Sequence, residues 1–203
     1  MTRLFLLLYV GFALAARSLA AETNSPAAPP ATQPAVRPAS WAQPLAQEGV
    51  PNLHVVVTGR LYRSAQPTTE GMRNIERLGV KTVLNLRAHH SDGDELDATN
   101  LGRETIAIDT WALKESDVIR FLQIVTDTNR QPVLVHCQHG ADRTGTMCAV
   151  YRMAVQGWTR EEAIREMTEG GYGYHPLWRN LISFLHELDI ESVRRKAGLA
   201  GTP

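Results

Sequence analysis

The segment "VLVHCQHGADRTGTMCAV" (133–150) places a cysteine and an arginine six positions apart, between an apolar β-branched run and a stretch with helical periodicity. Cys137 therefore ends a strand, and residues 137–143 suit the loop that leads into a helix. Backbone N–H groups of such a loop, with the first free N–H groups of the helix, can converge on one point and bind an anion. Gly140 removes the Cβ where the chain must turn tightly. Arg143 presents a planar fork that matches two phosphate oxygens. The same positive field favours the thiolate form of Cys137. A thiolate beneath a bound phosphate can attack phosphorus in line and expel an alcohol or phenol. Thr144 is expected to donate its hydroxyl to the sulfur. His136 is expected to lie buried and to orient the loop through hydrogen bonds instead of acting as a base.

The elements that must hold this loop are legible on either side of it. "LHVVVTGRLYRSA" (53–65) reads as two short strands around a turn at Gly59. "TTEGMRNIERLG" (68–79) reads as a helix ending at Gly79, and "KTVLNLR" (81–87) and "ETIAI" (104–108) as strands. Residues 88–100 are polar and read as loop with room for a short helix. Val118, Phe121, Leu122 and Val125 show the i, i+3, i+4, i+7 spacing of an amphipathic helix over 116–129. "PVLVH" (132–136) is a continuous apolar run, as a central parallel strand requires. Met147, Val150, Tyr151 and Ala154 repeat the helical spacing, "TREE" (159–162) is a capping box, and 177–188 is a further helix. Strands alternating with helices predict an α/β domain, a mainly parallel central sheet flanked by helices. Ligands bind such sheets beyond the carboxyl ends of the strands, which is where Cys137 falls.

These residues resemble the cysteine-based protein tyrosine and dual-specificity phosphatase family. Its signature is His-Cys, five residues, then Arg and Ser or Thr. Here it reads His136-Cys137-Gln138-His139-Gly140-Ala141-Asp142-Arg143-Thr144, with Gly145 completing the common Arg-Thr-Gly ending. The likeness covers residues 53–188 and implies a compact, single-domain phosphatase. "LYRSAQP" (61–67) and "NLR" (85–87) look like compact bacterial members and atypical plant and fungal ones. The resemblance implies Cys137 as nucleophile and Arg143 as phosphate-binding arginine, with Thr144 as the hydroxyl. Gln138, His139, Gly140, Ala141 and Asp142 then form the rest of the phosphate-binding loop. No metal and no cofactor are implied. The family's general acid is an aspartate on a loop before the cysteine, and "IAIDTWALKESD" (106–117) is the matching segment. Asp109 is the first choice there, with Glu115 and Asp117 as rivals. Asp117 could instead start the next helix, where acidic residues are favoured.

Other residues read more plainly. Asp142 is expected to brace the loop. Arg63 and Arg87 end strands and could reach the cleft, but surface salt bridges are the expected fate of each. "HHSDGDELD" (89–97) offers histidine and carboxylate groups, but its spacing matches no standard metal loop. Tyr172, Tyr174 and Trp178 could line a pocket, but aromatic core packing is the expected role. Cys148 reads as a buried helix residue, with a disulfide to Cys137 as the alternative in an oxidising compartment.

Lys+Arg and Asp+Glu both number 21, which argues against a general nucleic-acid binder. "MTR" followed by "LFLLLYVGFALAA" and "SLA" reads as a signal peptide (1–20) cleaved after Ala20. Residues 21–45 are proline-rich and read as a linker, leaving 46–203 as the phosphatase domain. The expectation is an exported protein, periplasmic or secreted, with no stable membrane insertion after cleavage. The sequence is silent on oligomeric state. The expected substrate is a phosphorylated protein or another phosphomonoester, with an inositol phosphate or phosphoinositide as the alternative. A sulfurtransferase also uses a cysteine loop, but His136 and Arg143-Thr144 argue against it. A phosphate-binding module without activity has no need of the thiolate.

Overall fold

The structure is a computed structural model and describes residues 37–199. The expected signal peptide and most of the expected linker lie outside the described residues. Six strands form one sheet: β1 (Gln43–Pro44), β2 (His54–Val57), β3 (Leu61–Ser64), β4 (Thr82–Arg87), β5 (Gly102–Ile108) and β6 (Val133–His136). Their order is β1-β2-β3-β6-β4-β5. The first two pairings are antiparallel, and β3–β6, β6–β4 and β4–β5 are parallel. The mainly parallel α/β sheet expected from the sequence is therefore present, with a hairpin edge. The register sets Ser64 and Asn85 on either side of His136. The carboxyl ends of β3, β6, β4 and β5 thus come out together.

Among the described residues seven helices cover the sheet: α1 (Thr69–Arg77), α2 (Gly93–Leu96), α3 (Glu115–Thr126), α4 (Asp142–Gln156), α5 (Arg160–Glu169), α6 (Arg179–Glu187) and α7 (Ile190–Lys196). Alternation along the strands separates two cores. Leu134, Tyr62 and Val83 pack with Met72 and Ile75 of α1 and Leu96 of α2. Val133, Val135, Leu61 and Leu84 pack on the other face with Phe121, Met147, Val150 and Leu181. Helix ends follow the expected signals. Thr68 Oγ1 accepts the Gly71 N–H, and Gly79 leaves α1 at φ +93°. Thr159 and Glu162 cap α5 reciprocally.

Residues 37–45 correct the expected linker boundary. Ala42 is buried, its N–H donates to Glu166 Oε1 at 2.6 Å, and Gln43–Pro44 pair with β2. Arg37 donates to Tyr172 Oη (3.1 Å), to the Ala42 carbonyl (2.9 Å) and to the Gly170 carbonyl. Proline content indicated extended chain, but extended chain can also dock on a sheet edge. α7 was also not foreseen, because Asp189, its cap, directly follows the expected end of the previous helix.

Candidate active site

Cys137 is the first residue after β6 and is buried, 2% exposed. The loop that follows is held from outside by its carbonyls. The Gln66 N–H donates to the Gln138 carbonyl (3.3 Å), Asn52 Nδ2 to that of His139 (2.9 Å), and Arg63 Nη2 to that of Gly140 (2.6 Å). These peptides are trans, and a trans peptide points its N–H opposite to its carbonyl. Three carbonyls drawn outward therefore turn the N–H groups of His139, Gly140 and Ala141 inward, as an anion cradle requires. Gly140 has φ +69°, and a Cβ there would lie 2.5 Å from Ala65 N and the Ser64 backbone. Glycine is needed here on both counts.

Arg143 stands in the first turn of α4. Its Nη1 donates to the Ile108 carbonyl at 3.2 Å, with the Leu86 carbonyl at 3.5 Å. The ends of β5 and β4 thus aim its guanidinium. It lines a pocket of about 270 Å³ with Gln138, Arg87, His89, Asp109, Thr110, Trp111 and Trp178. Asp109 is half-buried, and its Oδ1 is 3.2 Å from His89 Nε2. Its rivals are engaged elsewhere. Glu115 pairs with Lys196 at 2.6 Å, and Asp117 Oδ2 accepts the Lys114 N–H at 3.0 Å at the start of α3. Sequence reasoning missed Trp111, which is 68% exposed at the pocket edge.

Two expectations change in detail. Thr144 Oγ1 is buried without a hydrogen-bond partner, so the expected bond to the Cys137 sulfur is not formed. The residue is fully buried in the first turn of α4. His136 is fully buried as expected, but its hydrogen bond runs to Asp92 Oδ2 (2.8 Å) and not to the loop. Asp92 also accepts from Gln66 Nε2 (2.9 Å). Burial is the largest influence on the Asp92 carboxyl and pushes its pKa up, but the bonds and charge of His136 and Gln66 outweigh it and hold it below the ordinary value.

Arg63 is a correction. It is 1% exposed, its guanidinium lies 3.6 Å over the Tyr172 ring, and it makes no surface salt bridge. All four β3 residues are buried beneath the layers that cover the two faces of the sheet. Arg87 donates to Gln66 Oε1 (2.8 Å) and pairs with no carboxylate. Tyr172 donates to Glu166 Oε1 (3.1 Å), and burial, then the Glu166 charge, push its hydroxyl up to about 12. Asp142 does brace the loop: it accepts from the His175 N–H (2.9 Å) and lies 2.8 Å from His175 Nδ1. Trp178 packs against the main core, as expected, and also lines the pocket. Cys137 and Cys148 are both free thiols, and burial pushes that of Cys148 up.

Comparison with known proteins fits this geometry. The family model described as DSP-PTPase phosphatase fused to NAD+ kinase matches residues 46–173. The dual specificity protein phosphatase TpbA of Pseudomonas aeruginosa (strain UCBPP-PA14) is 32% identical over 178 residues, covering 86% of this chain and 74% of that one. A crystal structure of a cysteine-to-serine variant of P. aeruginosa TpbA in complex with pTyr superposes with a TM-score of 0.71 at 30% identity. It covers 81% of this chain and 99% of that one. The catalytic core of the S. cerevisiae PP-IP phosphatase SIW14, in complex with citrate, gives a TM-score of 0.61 at 24% identity, covering 74% and 95%, and shares the fold.

Proposed function

This chain belongs to the cysteine-dependent dual-specificity phosphatase family, and from that premise we propose that Cys137 is its nucleophile, Arg143 its phosphate clamp and Asp109 its general acid. The observation that carries this reading is the set of three outward-tied carbonyls, which leaves an N–H cradle beside Cys137 and Arg143. The Cys137 thiolate attacks phosphorus, an S–P bond forms and the P–O bond to the leaving group breaks. Asp109 gives its proton to the departing oxygen. The Asp109 carboxylate then takes a proton from water as that water attacks phosphorus. The S–P bond breaks, inorganic phosphate leaves and the thiolate returns. Arg143 and the N–H groups hold the equatorial oxygens throughout.

The favoured substrate is phosphotyrosine on a protein. Trp111, Trp178 and His89 give the pocket apolar and aromatic walls for a phenyl ring, and a TpbA variant is known with pTyr bound. Inositol phosphates are the second reading, because SIW14 and the Arabidopsis thaliana inositol diphosphatase DSP3 are relatives. Gln138, His139, Ala141 and Asp142 offer no lysine to such a multiply charged ligand, which favours the first reading. Export to the periplasm or beyond rests on the "MTR…SLA" start, and among the described residues no helix is long and apolar enough to cross a membrane.

The test is a panel of phosphotyrosyl peptides, phosphoinositides and soluble inositol phosphates. Wild type should prefer the peptides. Cys137→Ser should lose turnover but still bind them, since the cradle and Arg143 remain. Hydrolysis by Cys137→Ser would overturn the mechanism, and preference for the inositol phosphates would overturn the substrate.

A further inference from the structure

The polar segment 88–97 holds a second cluster that the phosphatase chemistry does not use. His90, Asp92 and Glu95 each bring one donor atom, and all three atoms lie within 4.8 Å of one another. His90 Nε2 is 3.5 Å from Asp92 Oδ1 and 3.4 Å from Glu95 Oε1. Those separations exceed the 2.7–3.2 Å range of an N–H···O bond. His90 Nε2 is also shut off from solvent and has no hydrogen-bond partner. Both contacts are within ion-pair reach but too long for good hydrogen bonds, so two carboxylate oxygens and one ring nitrogen converge on a common point where a divalent cation would satisfy all three.

The distances indicate which cation. A tetrahedral ion with bonds of about 2.0–2.2 Å separates its ligand atoms by roughly 3.3–3.6 Å. An octahedral Mg²⁺ with bonds of about 2.0–2.1 Å brings adjacent ligands to about 3.0 Å. We propose that His90, Asp92 and Glu95 form a binding site for a tetrahedral divalent cation of the Zn²⁺ type, outside the phosphate cradle. One position remains for water, as in three-ligand zinc sites.

The surroundings suit such a site. Asn85 Nδ2 donates to the His90 carbonyl at 3.0 Å and fixes the loop to the end of β4. Glu95 sits in α2. Asp92 Oδ2 is bonded to His136 Nε2 at 2.8 Å, and Oδ1 accepts from Gln66 Nε2 at 2.9 Å with a second lone pair left for the cation, so a cation on Oδ1 tightens the carboxylate that holds the residue before Cys137. Ala88 and His89 of the same segment line the active-site pocket, so an ordered segment also orders one of its walls. The other histidine–carboxylate group, His139, Asp142 and His175, lacks this signature. There Asp142 already bonds both the backbone and the ring of His175, and both histidines are exposed.

Zn²⁺ titration by calorimetry tests the site. The background is Cys137→Ser, because a thiolate is itself a zinc ligand. Burial keeps the Cys148 thiol protonated. The proposal expects one Zn²⁺ per chain, and a chelator-reversible rise in melting temperature. His90→Ala and Glu95→Gln should each weaken binding on the order of 10–100-fold, while His175→Ala leaves it unchanged. Both mutated side chains are partly exposed, so the variants should fold, and their unliganded melting temperatures verify this. No binding, or binding that survives both His90→Ala and Glu95→Gln, or binding that His175→Ala removes, overturns the assignment.

Discussion

The loop at residues 137–143 and the loop that follows β5 face the same pocket but are held very differently. Every carbonyl from Gln138 to Ala141 is occupied: by Gln66, Asn52 and Arg63, and then by the Gly145 N–H at 2.8 Å. The segment after β5 has a turn bond from the Ala112 N–H to the Asp109 carbonyl (2.9 Å) and a side-chain bond from Asn180 Nδ2 to the Thr110 carbonyl (2.8 Å). Asp109 is half-exposed and Trp111 mostly exposed. On the proposed assignment the two loops do different work. A cradle for an anion must be preorganised, because reorganising dipoles during reaction forfeits their benefit. A proton donor must follow the leaving oxygen of differing substrates, and a looser tether permits that.

Replacing the proposed acid, Asp109, sharpens this contrast most. A tyrosine phenol has an unperturbed pKa of about 10 and leaves poorly as an anion, whereas an activated nitrophenol leaves without help. Asp109→Asn should therefore lose on the order of 10²–10⁴-fold in rate on phosphotyrosine and far less on an activated aryl phosphate. The variant should also lack the alkaline limb of the wild-type pH–rate profile. Steady-state kinetics on the two substrates decide it. Equal losses would assign Asp109 a structural role and return the question to Glu115 and Asp117.

A change behind the cradle should act without regard to the leaving group. Arg63→Met keeps an unbranched, apolar side chain beneath the Tyr172 ring but leaves the Gly140 carbonyl buried without its donor. An unsatisfied carbonyl of that kind costs about 1–3 kcal/mol, and a cradle that relaxes to recover it turns the Gly140–Ala141 peptide. The expected result is a roughly 10-fold or greater loss of kcat/KM on phosphotyrosine and the activated ester alike. A loss confined to one substrate would show that Arg63 does not act through the phosphate loop.

The unequal legibility of the site has the same physical origin. The cradle was readable because its chemistry is contiguous: His136 to Thr144 are consecutive, and strand, loop and helix each have a local signal. Its supports were not. Arg63 reaches Gly140, Asp92 reaches His136, and Arg37 reaches Tyr172 across large sequence separations. Nothing near Arg63 in the chain distinguishes a buried arginine from a surface one; only the position of β3 inside the sheet does. The same holds for Ala42, whose N–H is taken up by the distant Glu166. The Thr144 hydroxyl failed for the opposite reason. Its place in the motif is legible, but the direction of a side-chain oxygen is set by packing around α4.

The smallest effect on turnover, and the finest test of how the cradle is anchored, lies at Glu166. Its two oxygens accept from Arg152 Nη2 and Nε, each at 2.7 Å, and Oε1 also receives Ala42 N–H and Tyr172 Oη–H. Tyr172 lies against Arg63, so this carboxylate ends the chain of contacts that begins at Gly140. Burial is the largest influence on Glu166 and pushes its pKa up, yet the bond and charge of Arg152, with Ala42 and Arg63, hold it below the ordinary 4.5. A folded-state value below the unfolded one means that the ionised group favours the folded state. That stability is fully present above the unfolded value and is lost as pH falls through the folded one. Glu166→Gln leaves Arg152 buried without its counter-charge, at a cost of about 3–5 kcal/mol near neutrality. Urea unfolding as a function of pH should show the gap between wild type and Glu166→Gln constant above about pH 5. The gap should narrow as acid protonates the wild-type carboxylate. At neutral pH, where both proteins are folded, kcat should differ by little, because Arg63 still holds Gly140. A gap that stays constant into strong acid would mean that folding does not lower the Glu166 pKa, and the Arg152 pair would not be the anchor described.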